Sequence, residues 1–168
     1  MLEVKDSAYV DRYGTNVEHC DILDIDPANP KASIITDLSV AQSIGSDQFD
    51  CFVLTQTLQF IYNLHGALVH CRRILRPQGV LLATVPAVGR IFPNDTINPD
   101  YWRFTASSCS ALFAEVFGPE HVTVRSYGNV LTGIAFLTGL ACEDLSQREL
   151  DTNDENFPLV ISVRAIKQ

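Results

Sequence analysis

The chain has 168 residues, 46% of them hydrophobic, and a formal net charge of −8. This length suits a single domain over residues 1–168, because most domains contain about 100–150 residues. The acidic balance disfavours binding to nucleic acid or to an anionic membrane, since both require a basic surface. The charged residues directly after Met1 are not typical of a secretory leader. The five cysteines share no C-x-x-C spacing, so we expect reduced thiols in a cytoplasmic protein.

Apolar runs and helical patterns alternate along the chain. The first strand candidates are Leu2–Val4, 17–25 and 32–36, and a polar loop through Gly14 follows the first of them. The continuous apolar runs Phe49–Thr55 and 80–85 predict two strands that are covered on both faces. Between these runs, apolar residues recur at helical spacing. This spacing predicts a helix that Asn63 caps and Pro77 stops.

The second half of the chain continues the pattern. Thr105 is the predicted cap of a helix that ends at Gly118, and Val122–Tyr127 and 159–166 are the predicted late strands. Residues 130–140 read as a helix that is apolar nearly all round, which indicates either burial or an interface. The polar residues 151–156 are interpreted as a surface loop. Seven strand candidates with intervening helices predict a doubly wound α/β sandwich.

Acidic residues follow two successive strand candidates. Asp21 or Asp24 lies at or near the end of the second strand, and Asp37 follows the third. A carboxylate at the first of these places can accept both ribose hydroxyls of a nucleoside. The second place suits an acceptor for an adenine amino group. A single Asp is weak evidence, because Asp is also common in turns. The nucleoside site is favoured because acidic residues follow two successive strands.

Several stretches together resemble class I S-adenosylmethionine-dependent methyltransferases, in particular small bacterial methyltransferase-domain proteins often found beside glycan-modifying genes. The stretches are 2–4, 21–23, 32–38, 49–58, 73–79, 84–86 and 100–105. The resemblance implies a Rossmann-like, seven-stranded, mostly parallel sheet whose last strand is antiparallel. It also implies methyl transfer from S-adenosylmethionine to an oxygen or nitrogen of a small molecule or glycan.

The same resemblance implies roles for individual residues. Glu3 would orient the cofactor loop, and Asp21 or Asp24 would bind ribose. The remaining cofactor positions are Lys5 and Ser7 in the loop, Asp37 and Leu38 beside adenine, and Thr55 and Gln56 beside the methionine portion.

Tyr62, Trp102 and Arg103 are the candidate substrate residues. Trp102 could stack on a substrate ring or pack beneath the loop before Thr105. Arg103 could bind an acidic substrate group or tie down that loop through a carboxylate. The family's frequent histidine is replaced by Phe60, and the four histidines have no metal-ligand spacing, so we expect neither a general base nor a metal site.

The loop after the first strand departs from the family pattern. Lys5, Ser7 and Tyr9 stand at glycine positions, and a non-glycine residue in the left-handed region costs roughly 1–2 kcal/mol. Gln78 likewise replaces the first glycine of a Pro-Gly-Gly turn. We therefore expect a short, mobile loop without a helix, and weak cofactor binding.

Three interpretations of the chain remain open. It is an active methyltransferase, a degenerate module of the same fold that binds or assembles, or a structural partner of another chain. A homo-oligomer formed through residues 130–140 is compatible with each of them. Whether the chain is a fragment or a naturally short form also remains open, and a nicotinamide enzyme is disfavoured because G-x-G-x-x-G is absent.

Overall fold

The computed structural model describes residues 1–91 and 99–168. Seven strands lie within these ranges: β1 (Leu2–Val4), β2 (Asp21–Asp24), β3 (Ile34–Ile35), β4 (Phe49–Thr55), β5 (Leu75–Pro86), β6 (Val122–Tyr127) and β7 (Val160–Ile166). They form one sheet in the order β3-β2-β1-β4-β5-β7-β6. β1 to β5 pair in parallel, whereas β7 runs antiparallel to both β5 and β6. The predicted sheet, with an antiparallel last strand and with β1, β4 and β5 at its centre, is confirmed.

The described residues also form five α-helices: α1 (Ala8–Tyr13), α2 (Leu64–Ile74), α3 (Ala106–Phe117), α4 (Val130–Thr138) and α5 (Gln147–Asp151). The predicted caps are confirmed, because the Asn63 side chain accepts from the Gly66 amide and the Thr105 side chain from the Ser108 amide. Helix α3 ends at Gly118, whose φ of 91° is readily adopted only by glycine.

The core lies between the sheet and the helices α2 and α3. Along β5, Leu81 and Val85 are completely buried, whereas Leu82 on the opposite face is 40% exposed. This alternation shows that the two helices cover one face of the sheet. The core is one connected cluster, and the single-domain assignment of residues 1–168 stays a prediction.

The second face of the sheet is covered much less. Helix α1 packs near β1, where Val10 is buried. Over β4 to β7 a groove of about 640 Å³ remains, and Tyr13, Leu82, Arg125 and Arg164 are among its lining residues. The uncovered area is therefore on the side where a doubly wound fold would carry further helices.

Three local features differ from the expectations. The loop after β1 contains the six-residue helix α1, so the prediction of a helix-free loop is wrong. Strand β2 begins at Asp21, whereas the sequence predicted a strand over 17–25. Strand β5 begins at Leu75, before the predicted start at residue 80, and its pairing with β4 is irregular between Phe49 and Cys51.

None of the described helices is long and apolar enough to cross a membrane.

The cysteines are free thiols, as expected. Cys71 and Cys109 are buried in the core, and burial raises the pKa of the Cys71 thiol far above its ordinary value and that of Cys109 to about 11. Both thiols are therefore protonated at neutral pH and act as small apolar side chains.

Candidate functional site

Glu3 organises the chain that leaves β1. Its side chain is buried, and its two carboxylate oxygens accept the backbone N–H groups of Tyr9 and Val10, each at 2.9 Å. These amides belong to the first turn of α1, which lacks partners inside the helix. A negative charge at that end is also favoured by the helix dipole. Glu3 therefore fixes where α1 begins, and its role beside a cofactor stays a prediction.

Lys5 has a left-handed backbone conformation, which glycine adopts most readily. Its φ is 71°, its N–H donates to the Leu23 carbonyl at 2.9 Å, and its carbonyl accepts the Asn29 side-chain amide at 2.8 Å. The strain of this left-handed residue is offset by contacts with β2 and with the loop beyond it.

Ser7 and its neighbours are bonded within the loop. The Ser7 hydroxyl donates to the Asp11 carboxylate at 2.7 Å, and the Asp6 carboxylate accepts the Ala8 amide at 3.1 Å. Together with the bonds to Glu3, these contacts satisfy the amino-terminal amides of α1 from within the chain. Tyr9 stacks on Tyr13 with ring centroids 6.4 Å apart, on the exposed side of the helix.

The structure separates the two alternatives for the residue at the end of β2. Asp24 is the last residue of the strand, and its carboxylate accepts the Asn29 side-chain amide at 2.5 Å and the Asp26 amide at 3.1 Å. Asp21 is the first residue and lies at the opposite edge of the sheet, where it contacts His19 and Ser33. Since Asp21 cannot share a site with the carboxyl ends of the strands, only Asp24 is retained as the ribose candidate.

Asp37 lies just beyond β3, the neighbour of β2. One of its carboxylate oxygens accepts both the amide and the hydroxyl of Ser39 at 2.8 Å, which starts a short 3₁₀ turn. Leu38 is buried beneath this turn, while Asp37 itself is exposed. The packing of Leu38 thus holds a carboxylate at the carboxyl edge of the sheet.

Thr55 ends β4, and Gln56 turns the chain with a φ of 47°. The Gln56 amide donates to the Thr84 carbonyl at 2.8 Å, so the turn is anchored to β5. The sequence interpretation missed Gln59, a buried residue whose side-chain amide donates to the Gln56 carbonyl at 2.8 Å. Its side-chain oxygen is buried without a hydrogen-bond partner among the described residues. In the sequence, the only signal for this residue was a polar side chain between the apolar Leu58 and Phe60.

The aromatic candidates form a cluster next to this turn. Tyr62 stacks on Trp102 with centroids 6.0 Å apart and meets Tyr101 edge-on at 5.3 Å. The Trp102 ring N–H donates to the Ile61 carbonyl at 2.9 Å. Trp102 is therefore packed against the segment after β4, whereas Tyr62 is 71% exposed and offers a free ring face.

Arg103 ties down the loop before α3. Its guanidinium donates to both carboxylate oxygens of Asp100, at 2.6 and 2.8 Å, and also to the carbonyls of Trp102 and Arg90. The hydrogen bonds to Asp100 raise the pKa of Arg103 above its ordinary value. These contacts match the alternative in which Arg103 ties down the loop.

Within the described ranges, no group of three or more potential metal ligands occurs.

Part of the chain matches a known protein family. Residues 7–83 match the model of a family described as "Methyltransferase domain". That match covers helix α1, the acidic strand ends and most of the β4–α2–β5 unit, which is less than half of the chain. The sheet has the predicted order, and the chain has the fold of a class I methyltransferase. Comparison with curated proteins finds no match.

Solved structures of methyltransferases share the fold of this domain. A SAM-dependent methyltransferase from Archaeoglobus fulgidus has 12% identity and a TM-score of 0.62, with 99% of this chain and 85% of that chain covered. Phosphoethanolamine N-methyltransferase 2 of Haemonchus contortus, in complex with S-adenosyl-L-methionine, has 12% identity and a TM-score of 0.65 over 99% and 48% of the two chains. A methyltransferase bound to the Haloferax volcanii Trm112 activator has 14% identity and a TM-score of 0.64, over 99% and 81%.

Proposed function

We propose that this chain is a methyltransferase domain that binds S-adenosylmethionine and transfers its methyl group to an oxygen or nitrogen atom of a small molecule or glycan. The observation that carries the proposal is the placement of Asp24 and Asp37 at the carboxyl ends of adjacent strands, beside the loop that Glu3 holds. Ligands of open α/β sheets bind at this edge.

The residues fit the nucleoside part of the cofactor. Asp24 would accept the ribose hydroxyls, and Asp37 would accept from the adenine amino group above the buried Leu38. Thr55 and Gln56 would border the methionine portion, together with Lys5 and Ser7. Lys5 would also place a cation near the carboxylate of that portion.

The bound cofactor would supply an electrophilic methyl group on a sulfonium. The contribution of the chain is to hold the acceptor in line with that group, because orientation alone accounts for a large part of such a barrier. Tyr62, with its exposed ring at the cleft, is the proposed acceptor contact. Trp102 and Arg103 position this part of the cleft through the Ile61 and Asp100 contacts.

Calorimetric titration with S-adenosylhomocysteine tests the proposal. The unaltered chain is expected to bind, and Asp37→Ala is expected to weaken binding, because it removes an acceptor that the adenine would cover, typically worth about 1–3 kcal/mol. Asp21→Ala is the matched control, since it changes the same residue type at the opposite edge and should leave the affinity unchanged. An unaltered chain that fails to bind at millimolar ligand would contradict the proposal and favour the degenerate module.

A further inference from the structure

Two arginines lie on the uncovered face of the sheet. In the antiparallel register, Arg125 is opposite Ser162 and Arg164 is opposite Leu82, so both arginines project from the same face. Both are exposed and line the groove over β4 to β7. Within the described ranges neither has a carboxylate at ion-pair distance. The groove therefore combines apolar walls with two available positive charges.

A second surface of the same chain is also apolar, and it lies on helix α4. Helix α4 buries only Thr132 and Ala135, while its remaining large apolar side chains and that of Leu140 are 41–59% exposed: Val130, Leu131, Ile134, Phe136 and Leu137. A Cβ atom added at Gly133 would have no neighbouring atom within 4 Å outside the helix's own backbone. A helix that stands alone on a surface would carry polar residues on its outer side. The residues that the structure describes thus leave the apolar outer side of α4 largely uncovered.

Negative charges follow this helix directly. Residues 141–157 contain six carboxylates and one arginine. Among the residues that the structure describes, none of these carboxylates lies within 4 Å of a cationic side chain. We refer to residues 130–157, which contain α4, α5 and this acidic stretch, as the α4–α5 segment.

We propose that the groove on the uncovered sheet face binds the α4–α5 segment of a second copy of this chain. The two surfaces complement each other in both respects that matter for association: apolar side chains meet apolar walls, and the acidic stretch meets Arg125 and Arg164. Reciprocal binding would close a twofold dimer in which each copy covers the sheet of the other. The acidic stretch would be repelled by an anionic membrane, which makes a lipid surface a poor occupant.

Sedimentation velocity of the full chain over a range of concentrations tests the dimer. The expected species has about twice the chain mass of 18.6 kDa. The double variant Arg125→Glu/Arg164→Glu should sediment as a monomer, and so should Glu143→Lys/Glu155→Lys. A mixture of the two variants should restore a dimer, because the two new lysines of one variant then face the two new glutamates of the other. Arg76→Glu, at an exposed arginine on the other edge of the sheet, is the control that should remain dimeric.

A steric variant tests the role of α4 independently of charge. Gly133→Trp adds a large side chain at a position where an added Cβ has open space, so the fold should be retained while the dimer is lost. Gly133→Ala is the matched control and should remain dimeric. An unaltered chain that is monomeric at every concentration would overturn the proposal, as would a dimer that survives both the arginine reversal and Gly133→Trp. Neither measurement requires cofactor or activity.

Discussion

The amide of Tyr101 donates a 2.8 Å hydrogen bond to the carbonyl of Gln59, and the side chain of the same Gln59 donates to the carbonyl of Gln56. One buried residue thus connects the turn after β4, on the proposed cofactor side, with the segment that carries the aromatic cluster. It is a positioning residue because it acts through the segments that it joins.

Gln59→Met should weaken the binding of S-adenosylhomocysteine much more than it changes stability. The substitution removes the bond to Gln56, but it also removes the unpaired buried side-chain oxygen, and these two effects on the unfolding free energy oppose each other. We expect the affinity to fall about tenfold, which corresponds to about 1.4 kcal/mol. Titration and thermal unfolding measure the two quantities. Gln48→Met, at an exposed glutamine that donates to Ser46, is the control and should affect neither.

Lys5→Gly and Gln78→Gly should separate backbone strain from cofactor binding. Both residues have positive φ, 71° and 65°, so glycine should relieve about 1 kcal/mol of strain in each case, less the greater freedom of the unfolded chain. Denaturant unfolding should show similar small gains for the two variants. Only Lys5→Gly should also change the affinity for S-adenosylhomocysteine, because Gln78 lies at the amino edge of the sheet beside the carboxyl terminus of the chain. Equal affinities for both variants would remove Lys5 from the site.

Glu3→Gln should loosen helix α1. An amide side chain offers one acceptor oxygen where the carboxylate uses two, and its NH₂ group would face a backbone N–H. Hydrogen bonds to charged groups contribute about 1.5–3 kcal/mol, so we expect a loss of that order together with faster hydrogen exchange at Tyr9 and Val10. Glu18→Gln alters an exposed glutamate and is the control. Unchanged exchange at both amides would show that α1 forms without Glu3.

Arg103→Lys should destabilise the chain whether or not it contacts substrate. Lysine cannot reproduce the two-pronged contact with Asp100, whose side chain is only 2% exposed, and the expected loss is about 1.5–3 kcal/mol. Arg76→Lys is the control: a single guanidinium nitrogen of Arg76 donates to both oxygens of Asp50 on the surface, so this substitution should cost less than about 1 kcal/mol. Thermal unfolding compares the two. Equal small losses would indicate that Arg103 does not fasten its loop.

The sheet was predictable because its signals are local. The unbroken apolar run Phe49–Thr55 correctly predicted strand β4. The helix caps were also predicted correctly, at Asn63 for α2 and at Thr105 for α3. The choice between Asp21 and Asp24 depended on the residue at which β2 begins, and neither periodicity nor composition determines such a boundary. Helix α1 was missed because its first turn is satisfied by Glu3, a residue outside the helix. Contacts between segments distant in sequence leave no such pattern.

The length of β3 has a consequence for solubility. An exposed edge strand is a template on which the strands of other chains can polymerise. β3 offers only two residues to such a neighbour, and the chain then turns into the 3₁₀ segment at Leu38–Val40. An intruding strand would gain few backbone hydrogen bonds at this edge. The exposed Ile35 beside it therefore presents little danger of fibre growth, even though its side chain is 45% accessible to solvent.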